Sequence, residues 1–313
     1  MKKLLIPVVL LMLTSLACRK KNEPSNPVGN NNFKTYSSMD TIFSMLEVKP
    51  KVVIFDAAVG ASFYGNSGTR YIFRKNSFID ATGAVVSGNV QVEVSEYLKK
   101  GDMIFSGLLP ISNGEPLVSG GEIYVKASKN GNELFLRKDS TFQAKIPQFG
   151  SKDSVMSLFS SSITGGTSTN KVNWQKKDTS NFNAGIVYKG DTISIFSDSM
   201  KYCNADRFLS NPHYQDFKVS VAASGVTIDI NSLSAYALYD SYKGLMLLSP
   251  SSAGVFEGTH IPDIPIHFVS FGLINGHFYG GVVGVTPKTG STYTITLTEV
   301  NPDDFKAQIN GLY

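Results

Sequence analysis

Cys18 is the residue whose setting points most directly to chemistry. It follows the positive pair Lys2 and Lys3, the apolar run 4–13 and the small-residue stretch Thr14-Ser15-Leu16-Ala17, the order in which a secretion signal presents its charged, apolar and cleavage regions. The run falls short of the about 20 apolar residues that a membrane-spanning helix needs. A cut after Ala17 would make Cys18 the first residue of the mature chain, and a thioether to lipid there would tether that chain to a membrane. The alternative is an ordinary signal peptide cut near Ala17 beside an incidental thiol.

The segment Ser15-Leu16-Ala17-Cys18 resembles the bacterial lipobox, with Ser15 where the commonest pattern has Leu. Acylation would use one of the two Cys in the chain and leave Cys203 without a disulfide partner. An exported protein built this way must fold without a disulfide framework. No His stands within Lys201-Tyr202-Cys203-Asn204, which makes Cys203 a small buried core residue in preference to a catalytic thiol.

The other chemistry-bearing residues are scattered. His213, His260, His267 and His277 form no H-x-x-x-H or H-E-x-x-H, and no C-x-x-C accompanies them; no metal and no cofactor is expected unless tertiary folding gathers His260, His267 and His277. There is no G-x-S-x-G elbow, phosphate loop or dinucleotide fingerprint. Glu93 and Glu96 lie three apart, so in a strand they face opposite sides unless a bulge intervenes, and Glu93 is expected to be solvated. Asp102 between Gly101 and Met103 suits a turn fixed through its side-chain oxygen. Asp206 and Arg207 could orient a loop by an ion pair. No catalytic residue is assigned.

Charge adds little. The chain has 29 Lys plus Arg against 25 Asp plus Glu, and cleavage that removes Lys2 and Lys3 leaves 27 against 25. Arg19-Lys20-Lys21 is the dense basic cluster, placed to face phosphate headgroups beside the anchor. Lys and Arg elsewhere form no stripe, so nucleic-acid binding is not expected.

The elements that would position these residues read as strands. Residues 22–32, rich in Asn, Pro and Gly, suit a tether, and Ser38-Met39-Asp40 followed by Ile42, Phe43, Met45 and Leu46 suits a short capped helix. From Val52 onward, short apolar runs alternate with turn signals. Strands are expected at 52–55, 70–73, 78–79, 90–94, 103–105, 121–127, 134–136 and 141–146. Val90, Val92 and Val94 alternate with Gln91, Glu93 and Ser95, which puts the valines on one buried face.

Several of these segments carry a family resemblance. Ser77-Phe78-Ile79-Asp80-Ala81-Thr82-Gly83, Val86-Ser87-Gly88-Asn89-Val90-Gln91-Val92, Gly101-Asp102-Met103-Ile104-Phe105-Ser106-Gly107 and Leu117-Val118-Ser119-Gly120-Gly121-Glu122-Ile123 are similar to stretches of an uncharacterised group of two-domain, Bacteroidetes-type envelope lipoproteins. So are Met156-Ser157-Leu158-Phe159 with Val172-Asn173-Trp174, and Tyr202-Cys203-Asn204-Ala205-Asp206-Arg207-Phe208. The resemblance covers about two thirds of the mature chain. It implies an exported lipoprotein and no particular activity. A weaker likeness is to the ZU5-type sandwich.

Residues 148–180 crowd Ser, Thr and Gly into 160–169 and read as a linker ending near Trp174. The single Trp is expected to anchor the start of a second core, with a sugar-stacking platform as the alternative. Strands are then expected at 193–196, 218–221, 227–230, 235–239, 244–248, 265–272, 277–285 and 293–298. The pair 265–285 should turn at Ile274-Asn275-Gly276, and Asn301-Pro302-Asp303-Asp304 should start a final helical turn. The terminal Tyr313 is shared with outer-membrane barrels, but several strands are shorter than the 9–11 or so residues such a barrel needs.

The expected fold is therefore all-β, with two β-sandwich-like domains in tandem behind a cleaved lipoprotein signal peptide. The expected boundaries are signal peptide 1–17, lipidated tether and possible short helix 18–49, N-terminal β domain 50–147, linker 148–180 and C-terminal β domain 181–313. The expected role is a lipid-anchored, non-catalytic cell-envelope protein that binds or scaffolds a glycan or protein partner. It would sit in the outer membrane of a Gram-negative bacterium and face the periplasm, since Arg19-Lys20-Lys21 is basic where surface export favours acidic residues. The alternative is a polysaccharide-directed hydrolase whose carboxylates assemble only in three dimensions.

Overall fold

Val90, Val92 and Val94 are buried, and Gln91 and Glu93 are half-exposed on the opposite face of the strand Asn89–Tyr97. The alternation stops at Ser95, after which both faces are buried. The computed structural model, which describes residues 33–148, 155–161, 163–167, 169–180, 184–210, 214–251 and 254–312, supplies the reason. This strand belongs to a central sheet that is covered on one face along its length and on both faces at one end.

The protein is all-β apart from short helices. The central sheet runs in the order Lys51–Asp56, Asn89–Tyr97, Glu115–Lys129, Lys201–Phe208, Ser157–Ser161, Gln175–Lys176, antiparallel throughout. Against one face lies a five-stranded sheet in the order Gly185–Lys189, Thr192–Ser197, Phe142–Pro147, Arg70–Phe73, Ala61–Tyr64. Val92, Val125, Leu158 and Cys203 from the first sheet meet Tyr71, Phe142 and Ile195 from the second, giving a sandwich core.

The C-terminal sheet has the order Leu245–Leu247, Leu233–Tyr239, Ile266–Ile274, His277–Val285, Thr292–Glu299, Tyr214–Ala223, Phe256–Pro262, Ser249–Pro250. Its first and last strands are separated in sequence by Leu248 alone. The sheet therefore rolls into a sandwich-like pair of layers joined at the edge, around Phe217, Leu248, Phe256, Phe268 and Ile295. Its end strands, three and two residues long, leave only short edges. The hairpin turn falls at Asn275 and Gly276, which take φ of 53° and 80°, as its sequence demands.

Three helices fill the space between the central sheet and this rolled sheet. Helix α1, Met39–Leu46, is capped by Ser38, whose Oγ accepts from the Thr41 amide at 3.3 Å. Helix α3, Pro302–Asn310, is capped by Asn301, which accepts from the Asp303 amide at 2.8 Å. Helix α2, Lys100–Ser106, occupies the stretch expected to contain a strand at 103–105. Its consecutive apolar residues have no period of two, so tertiary contact decides the conformation. Gly107, at φ 65°, ends the helix. Asp102 makes no turn there; it accepts from Lys306 Nζ at 2.9 Å and Asn310 Nδ2 at 3.4 Å, tying α2 to α3.

An aromatic cluster joins the layers. Phe271 of the rolled sheet has Phe105 of α2 at 5.1 Å between ring centroids, Tyr236 at 5.7 Å and both Phe278 and Phe305 at 5.8 Å. Gly280 makes room for this packing, because a Cβ there would lie 2.6 Å from the Phe305 ring. Trp174 is fully buried in the same core, with Nε1 donating to the Leu109 carbonyl at 3.1 Å. It therefore seals the joint between the halves and does not open a separate second core.

The pairing also moves the internal boundary. Strands Ser157–Ser161 and Gln175–Lys176, from the segment expected to be a linker, extend the central sheet; Thr192–Ser197 and Lys201–Phe208 pair with N-terminal strands, and Gly185–Lys189 adds to Thr192–Ser197 at the edge. The change of sheet falls between Phe208 and Tyr214. Ser- and Thr-rich composition imitated a linker, while Leu158, Phe159, Val172 and Trp174 supplied buried anchors. Residues 227–230, expected as a strand, lead instead into a short 3-10 turn, Ile230–Ser232, capped by Asp229. From Phe33 onward the chain forms one compact unit.

Truncating Phe271 to Ala should cost about 3–5 kcal/mol. In urea, Trp174 fluorescence and far-UV dichroism should be lost together, before and after that truncation. Two separated transitions in the unsubstituted protein would contradict a shared core.

Candidate functional site

The strands Glu115–Lys129 and Lys201–Phe208 bring together the segments Ser119-Gly120-Gly121-Glu122 and Asn204-Ala205-Asp206. Asn204 pairs with Glu122 and Asp206 with Ser119, so three steps on one strand match two on the other. This is a β-bulge. It lets Ser119 and Glu122, three apart, lie with Asn204 and Asp206. Gly121 carries the bulge at φ 137°, and a Cβ there would come within 2.9 Å of the Leu98 side chain.

The result is a dry polar node. Glu122, Asn204 and Asp206 are fully buried. The Asn204 amide donates to Glu122 Oε1 at 3.2 Å and to Asp206 Oδ2 at 2.6 Å. Its carbonyl accepts from Ser119 Oγ at 2.9 Å. Glu122 Oε2 and Asp206 Oδ1 have no hydrogen-bond partner among the described residues. Burial, then the neighbouring Asp206 carboxyl, pushes the Glu122 carboxyl well above the usual range. Burial also raises Asp206, against the opposing effects of Ser119, Asn204 and the Lys243 charge.

The loop 240–244 of the rolled sheet closes over this node. The Ser119 amide donates to the Lys243 carbonyl at 2.9 Å, and Lys243 Nζ donates to the Gly120 carbonyl at 3.4 Å. Arg207 lies over the Tyr242 ring, 5.3 Å from its centroid. At the loop's start, buried Lys100 Nζ donates to the Tyr239 carbonyl at 2.6 Å, while Asp240 pairs with His267 Nδ1 at 2.6 Å. Burial lowers both Lys100 and Lys243 to about 8, with Asp240 and Asp206 respectively resisting the shift.

Two carboxylates are thus gathered in three dimensions, as a hydrolase would require, but glycoside hydrolysis also needs room for a sugar and a water beside them. Complete burial denies that access. The node can hold protons and fix the loop. A shallow cleft of about 330 Å³ lies elsewhere, at one end of the rolled sheet, bordered by Phe217, Lys218, Glu257 and Gly258. Its Lys218 and Glu257 are 4.0 Å apart and solvated, which gives no reactive constellation.

The other sequence candidates disperse. Glu93 is half-exposed, and Glu96 is buried, accepting from the amides of Ser67 at 2.6 Å and Thr69 at 2.8 Å to hold a turn. His277 Nδ1 pairs with Glu299 at 2.5 Å, at the far end of the hairpin from His267. Among the described residues no group of three or more His, Cys, Asp or Glu could hold a metal. Cys203 is buried and free, its thiol pushed up to about 11 by burial. Cys18, the signal segment, His213 and the His260 side chain lie outside the described residues. No helix among the described residues is long and apolar enough to cross a membrane.

Glu122, Lys100 and Lys243 were not singled out in sequence. Asp206 was singled out only beside Arg207; its partnership with Asn204 was within reach, since residues two apart in a strand share a face. Glu122 needed knowledge of the register and the bulge.

The raised carboxyls retain protons that the unfolded chain would release, so their contribution is full below the ordinary carboxylate range and is lost as pH rises. The two lysines behave oppositely, contributing above their ordinary value and losing that contribution as pH falls through about 8. Above the ordinary carboxylate range and below that of the lysines the carboxyls therefore dominate, and stability should fall with rising pH by up to about 1.4 kcal/mol per unit for each retained proton. Glu122→Gln should flatten that slope in urea titrations; equal slopes would refute proton retention at the node. No protein-family model matches the chain and no curated protein matches it.

Proposed function

We propose that this protein is a lipid-anchored, non-catalytic envelope module that positions a glycan or protein partner, held to the outer membrane through Cys18 and facing the periplasm. The observation that carries the non-catalytic part is the sealing of the Glu122–Asp206 pair beneath the loop 240–244. Acids committed to a dry joint leave the two halves as a rigid support. The kinship to Bacteroidetes-type envelope lipoproteins belongs to the same proposal. The segments 117–123 and 202–208 that carry the likeness pair with each other around the node, as expected of a pattern that specifies a scaffold.

The anchor part rests on the order of charged, apolar and small residues before Cys18 and on the basic residues after it. The native protein should partition into the detergent phase, and Cys18→Ser should leave it in the aqueous phase; membrane behaviour that survives the substitution would remove the anchor. Protease added to intact cells should leave the protein whole. Affinity capture of the lipidated protein should recover a glycan or envelope protein. The hydrolase alternative predicts that the purified protein cleaves envelope or extracellular polysaccharide and that Glu122→Gln abolishes the cleavage, an outcome that would overturn the non-catalytic assignment.

A further inference from the structure

The strand Lys51–Asp56 ends the central sheet, and among the described residues Asn89–Tyr97 is the one strand that pairs with it. No strand of the described residues pairs with its other side. Edge strands are ordinarily protected by shortness, inserted charge, proline or a bulge. The opposite end of this sheet, Gln175–Lys176, is two residues long and carries a Lys, and the end strands of the rolled sheet are three and two residues long. Between its charged ends, Lys51 and Asp56, this strand has none of these devices: the four residues Val52 to Phe55 are all apolar, and the register with Asn89–Tyr97 is regular. Val52 and Ile54 are 50% and 63% exposed on the outer face, beside polar Glu93 and Gln91.

We propose that this edge pairs with the same edge of a second copy, in antiparallel register, to make one continuous sheet across a dimer. The strand is suited to its own copy. A two-fold axis normal to the sheet at Val53 sets Val52 of each copy opposite Ile54 of the other on the outer face, where opposed side chains touch. Four exposed aliphatic side chains then cover one another. Charge disfavours the parallel alternative, which in register would set Lys51 beside Lys51 and Asp56 beside Asp56, whereas the antiparallel register at Val53 sets Lys51 opposite Phe55 and keeps like charges apart. A contact of one strand per copy is small, which places the dimer among weak, concentration-dependent associations. It goes beyond the proposed function, because it requires neither the anchor nor an outside partner.

The test is sedimentation of the mature Cys18→Ser chain, from residue 18 to residue 313, over a range up to about 200 μM, a span suited to micromolar affinity. A monomer–dimer equilibrium is expected. Ile54→Lys should shift it at least about tenfold toward monomer while the melting temperature stays within a degree or so, since the site is exposed. In a chain carrying Val52→Cys and Ile54→Cys, oxidation should trap a disulfide-linked dimer, and Tyr64→Cys, on the neighbouring sheet, should not. A monomer throughout the range, a dimer indifferent to Ile54→Lys, or trapping that is equal at position 64 would each overturn the proposal, as would pairing of this edge only with a different protein.

Discussion

The constraint on which the rest of this structure depends is that the central sheet has no free face at one end. Near the strand Asn89–Tyr97 the inner residues Val90, Val92 and Val94 enter the sandwich core, while Tyr97, Tyr124 and Tyr202 face the helices and the rolled sheet. Each layer covers a surface that another layer would otherwise leave wet. The five-stranded sheet, the helices and the rolled sheet are therefore mutually dependent through apolar burial, which scales with the area removed from water. Phe271, with rings from α2, α3 and its own sheet around it, is the point where these dependencies meet.

Apolar packing alone would tolerate sliding of one layer over another. The polar node supplies register. An amide that must satisfy two carboxyls and a hydroxyl at once admits one alignment of Glu115–Lys129 against Lys201–Phe208, and the loop 240–244 can close only where the Ser119 amide and the Gly120 carbonyl await it. Desolvating these groups opposes folding. Holding protons at the carboxyls lessens that cost, which is the physical basis of the raised Glu122 and Asp206. The same burial that aligns the halves removes the acids from any substrate.

Much of the local structure was legible in sequence. The alternation of valines, the Asn275-Gly276 turn and the caps at Ser38 and Asn301 are short-range consequences of residue type. Helix α2 was not legible, since a short apolar run suits a buried strand or a buried helix equally well until its neighbours are known. Residues 148–180 misled for a related reason: Ser157, Ser160, Ser161, Thr164 and Thr167 lie in strands, a few large residues nearby do the anchoring, and composition averages those anchors away.

By itself the sequence determined that the chain is all-β and that Cys203 would be a core thiol, because strand alternation and residue type are carried by neighbouring residues. Tertiary structure alone decided that the halves share one core, that the sheets divide after Phe208, and that Glu122 meets Asp206 across a bulge. Those facts depend on contacts between residues far apart in the chain, Ser119 with Lys243 and Lys100 with Tyr239 among them. No local pattern encodes such a contact, because its geometry exists only once both partners have folded.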